Sequence, residues 1–217
     1  MRALVATGTG RYADPWHPYQ RTSPLIAAVL TDAGFDTGVE TDVDDAMTRL
    51  SGTDLLVVNA GDPWRSGEAG SASAESVGGL YAALARGIGV IAVHGALASL
   101  RDHPDWAAAI GGMWVPGLSW HPPFGTVQVS AGALPDGTEL SGFEVEDERY
   151  ARLQAIGERT VVAHHDVEGA AEPTAWVRTH GASRIAVDAL GHDERSWASE
   201  GHRGLLTALA RWTTAPR

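Results

Sequence analysis

Short, continuous apolar runs alternate with helix-patterned segments through the first hundred residues, and this alternation most constrains the fold. "RALVAT" (2–7), "DLLVVNAG" (54–61) and "IGVIAVHG" (88–95) lack polar alternation, as parallel strands covered on both faces do. "FDTGVET" (35–41) reads as a further strand. Between the strands, Ser23 and Pro24 form an N-cap and first-turn pair ahead of "LIAAVLTDAG", which stops at Gly34. "DVDDAMTRL" (42–50) predicts a short helix capped by its aspartate, and "VGGLYAALARG" (77–87) predicts another. The βαβ alternation predicts an α/β fold, a doubly wound and mostly parallel sheet flanked by helices.

Beyond residue 120 the texture changes. "FGTVQVSAG", "RLQAIG", "TVVAHHDV", "TAWVRTH" and "SRIAVDALG" read as antiparallel hairpins added to the sheet edge. The closing "HRGLLTALARWTT" puts Leu205, Leu206, Leu209 and Trp212 on one helical face that packs back on the sheet. There is no internal repeat and no low-complexity tract beyond the loop of residues 66–76. A chain of 217 residues, 44% hydrophobic, is then expected to be a single domain, residues 1–217.

A formal charge of −11, from 27 acidic and 16 basic side chains, argues against nucleic acid or an anionic membrane surface as partner. The opening "MRALVATGTGRY" is too short and glycine-rich for a signal segment, and no window has a membrane helix's apolar length. The expected location is the cytoplasm. Absence of cysteine removes disulfides, thiolate metal sites and a thiol nucleophile, leaving histidine and carboxylate chemistry.

In "VIAVHGALAS" (90–99) a buried strand delivers His94 to its carboxyl end, where ligands collect in open parallel sheets, ahead of an expected helix. His192, after "VDALG", is a second strand-end histidine. His121 sits in the stiff "WHPPFG" segment, and Asp147, Glu148 and Tyr150 form "DERY". Together with "DWAAAIGGMW" (105–114), "FEVEDERY" (143–150), "TAWVRTHGASRIAVDALGH" (174–192) and the final "ARWTT", these motifs make an ordered series. In this series the chain resembles the ThuA-like (trehalose utilisation) family, a branch of the class I glutamine amidotransferase-like fold. The resemblance implies a flavodoxin-like, amidotransferase-like sheet with His94 at or beside the place of that fold's catalytic cysteine. It also implies carbohydrate metabolism without thiol amidotransferase chemistry.

His94, His121, Glu148 and His192 are therefore the candidate catalytic residues. His94 or Glu148 is the expected base, and a glutamate near an imidazole in a partly dry cleft can hold its proton to higher pH or orient the ring. Convergence of the same four residues would also suit a divalent metal such as zinc, although no short His-x-His spacing is present. Trp16, His17, Trp64, Trp120, Asp147 and Tyr150 are the candidate substrate contacts. Trp114 joins Trp16, Trp64 and Trp120 in loops where flat rings with an N–H donor can stack on a sugar. His164 and His165 are adjacent, point to opposite faces of a strand and read as structural. His103 and His202 read as exposed. The leading expectation is an enzyme acting on a sugar or keto-sugar by isomerisation, hydration, elimination or metal-assisted hydrolysis. The competing expectation is a sugar-binding or accessory module without turnover. A small-molecule carbohydrate is the expected partner, and self-association into a homo-oligomer is left open.

Overall fold

The computed structural model describes every residue except Ser66, Glu68, Ala69 and Arg217. Part of the Gly/Ser-rich loop singled out above thus lies outside the described residues. The first half follows the expected alternation: β1 (Arg2–Thr7), α1 (Tyr19–Asp32), β2 (Asp36–Glu40), α2 (Val43–Thr48), β3 (Leu55–Asn59), α3 (Ala74–Arg86) and β4 (Gly89–Val93). A short α4 (Trp106–Ile110) and β5 (Gly112–Met113) follow. The second half comprises β6 (Gly125–Ala131), β7 (Phe143–Asp147), β8 (Gln154–Ala155), β9 (Thr160–Val167), β10 (Ala170–His180), β11 (Ser183–Asp188) and α5 (Glu200–Thr214).

Nine strands form one sheet in the order β2-β1-β3-β4-β11-β10-β9-β6-β7, with β5 and β8 paired separately. Pairings from β2 through β11 are parallel, and those from β11 to β7 are antiparallel. Four successive reversals bring β7 back to the sense of β1. The carboxyl ends of β1, β4, β11 and β7 therefore open on one edge. Strand side chains alternate between two cores: Val90 and Ala92 face α2–α4, while Ile91 and Val93 face α1 and α5.

Several local expectations need correction. Helix α1 begins at Tyr19, with Pro24 inside it rather than in its first turn. Pro24 lies one turn in, so it removes a single hydrogen bond, to the carbonyl of the exposed Gln20. After His94 there is one 3-10 turn, His94–Leu97, instead of a helix. Within "SRIAVDALG", β11 is not an edge addition: it lies between β4 and β10, parallel to β4. "RLQAIG" supplies only β8, outside the main sheet.

His202 is fully buried rather than exposed, because Asp188 accepts a hydrogen bond from its Nε2 at 2.9 Å and Trp197 stacks on its ring. His103 is buried too, against the Ser76 hydroxyl at 3.0 Å. Ser76 and His103 are buried beside the half-buried Asp102 and Arg11, which donates to Asp44 and Asp102. That chain joins α2 to α3. As expected, His164 is exposed while His165 is buried between Thr174 and the Tyr150 carbonyl.

Candidate functional site

Four segments end at the shared edge, and each contributes one donor. After β1, Asp14 organises a tight loop: its carboxylate accepts from the backbone amides of Trp16 and His17, from Nδ1–H of His17 at 2.7 Å, and from the Tyr19 hydroxyl at 2.9 Å. With Nδ1 so engaged, the lone pair of His17 is on Nε2.

After β4, His94 occupies the left-handed region at φ 42°, which costs a non-glycine residue of the order of 1–3 kcal/mol and is found mostly at functional sites. Its Nδ1–H donates to the Ala189 carbonyl at 2.8 Å, and the Tyr150 hydroxyl donates to its Nε2 at 2.8 Å. Gly95 must follow, because a Cβ there would lie 2.3 Å from the Tyr19 hydroxyl.

Asp147, at the end of β7, is buried and does not face the cavity. Its carboxylate accepts from the amides of Glu148 and Gly191 at 2.7 Å each, from the amide of His192 at 3.3 Å, and from the Ser196 hydroxyl at 2.6 Å. This clamps the end of β7 to the turn after β11, where Gly191 takes φ 116°. Glu148 and His192 are thereby held side by side.

The result is one cluster. Glu148 Oε2 lies 3.5 Å from Nε2 of His94 and 3.3 Å from Nδ1 of His192. Ligand-type atoms of His17, His94, Glu148 and His192 all fall within 4.8 Å of one another. His121 stands on the other side of Glu148, its Nε2 3.6 Å from Oε1 and its Nδ1–H donating to the Pro122 carbonyl. The geometry thus gathers all four expected catalytic residues but adds His17, not His121, to the tight group.

Burial alone would raise the Glu148 carboxyl, but the approaches of His192 and His94 outweigh it and hold Glu148 well below the usual carboxylate range. Of the two expected behaviours of Glu148, a proton retained to higher pH does not fit this lowering, whereas orienting the imidazoles does. Burial lowers His94, yet Glu148 and Asp147 raise it further, so the net shift is upward. His17 shifts downward, because burial outweighs its hydrogen bond to Asp14. Burial pushes the Tyr150 phenol up, as do the Glu148 and Asp147 charges.

A cavity of about 340 Å³ opens beside the cluster, lined by His17, His94, Trp114, His121, Glu148 and Tyr150, with Trp16 and Arg65 also on its wall. The volume is at the low end of the usual ligand-site range, roughly 300–1,000 Å³. Of the expected aromatic contacts, Trp16 lines the cavity, with Arg65 stacked 3.9 Å over its ring. Trp64 is exposed and is not on the wall. Trp120 pairs its backbone with Ala151 and does not line the cavity. Residue reading missed Asp14 and Tyr19; the only signal was the loop "ADPWHPYQ", in which an aspartate three residues before a histidine can cap the turn.

The ThuA family model, described as trehalose utilisation, matches residues 2–213. The chain belongs to the ThuA family. No curated protein matches the sequence. Among solved structures, this ThuA chain is similar to a putative ThuA-like protein from Parabacteroides merdae, at 18% identity and TM-score 0.77, covering 99% of this chain and 90% of that one. A putative ThuA-like protein from Bacteroides uniformis aligns at 14% identity and TM-score 0.67, over 98% and 90%. A β-galactosidase from Rahnella sp. R3 aligns at 15% identity and TM-score 0.63 over all of the ThuA chain but only 32% of its own. At these identities the likeness is one of fold. The family description relates the chain to carbohydrate utilisation. Among the described residues, no helix is long and apolar enough to cross a membrane.

Proposed function

We propose that this ThuA protein is an enzyme that moves a proton at the carbon next to the carbonyl of a sugar or keto-sugar held in the cavity. The observation that carries the reading is the convergence of His94, His121, Glu148, His192 and Tyr150 from separate segments beside one ligand-sized cavity. The family's description as trehalose utilisation supports the sugar.

Roles follow from which lone pairs are free. His121 is exposed, and its Nδ1–H is fixed on Pro122, leaving Nε2 as a lone pair at the cavity wall. It fits the base better than Glu148, which its imidazole neighbours keep ionised and weakly basic. The Tyr150 hydroxyl lines the cavity, and turning its one hydrogen from His94 Nε2 to a bound sugar would make it the donor to the oxygen on which charge develops. Trp114 and Trp16 offer faces to the C–H side of a sugar ring.

The test is incubation of the purified protein with a panel of aldoses, keto-sugars and trehalose-type disaccharides, with products followed by mass spectrometry. H94A and E148Q each should lose at least about 100-fold in turnover while keeping the wild-type circular dichroism spectrum. Binding of a sugar with no conversion across the panel would instead favour a sugar-binding module. Full activity in both variants would remove the site assignment.

A further inference from the structure

We propose that His17, His94, Glu148 and His192 are the ligands of one divalent first-row transition ion, of the zinc class, facing the cavity. The first support is spacing. Donor atoms bound tetrahedrally to one ion at about 2.0–2.1 Å lie about 3.3–3.4 Å apart, and Glu148 Oε2 is 3.3 Å from His192 Nδ1 and 3.5 Å from His94 Nε2.

The second support is hydrogen-bond accounting. Nε2 of His17 is shielded from solvent and finds no hydrogen-bond partner among the described residues, which costs roughly 1–3 kcal/mol when left so, and the equally shielded Nδ1 of His192 has no neighbour closer than the Glu148 carboxylate at 3.3 Å. The partners of His17 and His94 fix their N–H groups elsewhere, so both turn lone pairs inward. With the carboxylate, at least three acceptors face one point. A water molecule brings two hydrogens to such a point, and Tyr150 satisfies only His94. A cation is complementary to all of them, taking the His94 lone pair in place of the Tyr150 hydroxyl, whose hydrogen is then free to turn to the cavity.

The third support is the surrounding shell. Metal-bound imidazoles almost always donate their other N–H to a carboxylate or a backbone carbonyl, and His17 does so to Asp14 and His94 to Ala189. Three imidazoles and one carboxylate form a donor set that suits zinc and neighbouring ions rather than calcium or magnesium. His121 stays outside the set and remains free to move protons.

The centre shares its cavity with the proposed sugar chemistry, but its readout is metal content, so either reading can fail alone. Full-length protein would be stripped with chelator, loaded with Zn²⁺ or Co²⁺, desalted and assayed for bound metal and for the visible spectrum of the Co²⁺ form. One ion per chain is expected. H17A and H192A should abolish stoichiometric retention, and D14N should weaken it about 10–100-fold. H121A should retain one ion, and circular dichroism checks that each variant is folded. Failure of the folded wild type to retain Zn²⁺ or Co²⁺, or loss of the ion in H121A but not in H17A, would overturn the assignment. One ion without conversion of any sugar leaves the centre standing and removes the proposed activity; conversion by folded protein that retains no ion after loading does the reverse.

Discussion

Asp14 and His17 sit three residues apart, and the 2.7 Å hydrogen bond between them aims Nε2 of His17 at His94 and His192, whose rings lie 5.0 and 4.8 Å away. The loop after β1 thereby becomes part of a site that otherwise belongs to β4, β7 and β11. Replacing the carboxylate tests whether this aim matters. D14N keeps an oxygen for the Trp16 and His17 amides but weakens the grip on the ring. Sugar turnover should fall about 10–100-fold with little change in melting temperature, measured by steady-state kinetics beside a thermal melt.

Tyr150 packs on His94 with ring centroids 4.3 Å apart, and its hydroxyl is the only part that phenylalanine would lose. Y150F should therefore lower kcat by roughly 10²–10⁴-fold, the usual worth of a positioned proton donor, and leave KM near the wild-type value. A change confined to KM would show the hydroxyl to be a binding contact.

The aromatic residues separate into two pairs. Trp16 and Trp114 line the cavity, whereas Trp64 and Trp120 do not. Loss of stacking worth about 0.5–1.5 kcal/mol predicts a rise in KM of roughly 2- to 10-fold for W16A and W114A, and none for W64A. Equal effects in W64A and W114A would contradict the cavity as the sugar site.

Away from the cavity, His202 and Asp188 form a fully buried ion pair between α5 and β11. Removing one partner leaves the other charge unpaired, so D188N should cost about 3–5 kcal/mol in urea unfolding. Burial lowers His202, but Asp188 more than compensates, and the folded-state pKa is raised. Its contribution is therefore complete below the unfolded-state value of about 6.5 and is lost as pH rises through the folded-state value. The stability difference between wild type and H202Q should accordingly shrink on going from pH 6 to pH 9. A difference that grew over that range would contradict the pairing.

The parallel half of the sheet was legible because β1, β3 and β4 are continuous apolar runs that only double-sided burial explains. His94 was legible for the same reason, being the first polar residue after such a run. The place of β11 was not, since "SRIAVD" carries the same apolar residues whether its neighbour runs parallel or antiparallel, and that choice is made by β4, ninety residues away in sequence. His103 and His202 looked exposed because their partners, Ser76 and Asp188, are distant in the chain or on another element. The sequence places His17 only among the candidate substrate contacts. Its inward Nε2 depends on the Asp14 turn and on two other imidazoles arriving from β4 and β11.

Diffraction from zinc-loaded crystals, recorded above and below the zinc absorption edge, tests most directly whether these dispersed donors share one centre. A single anomalous peak is expected about 2.0–2.2 Å from donor atoms of His17, His94, Glu148 and His192. A peak held by His121 without His17, or no peak at that edge of the sheet, would contradict that shared centre.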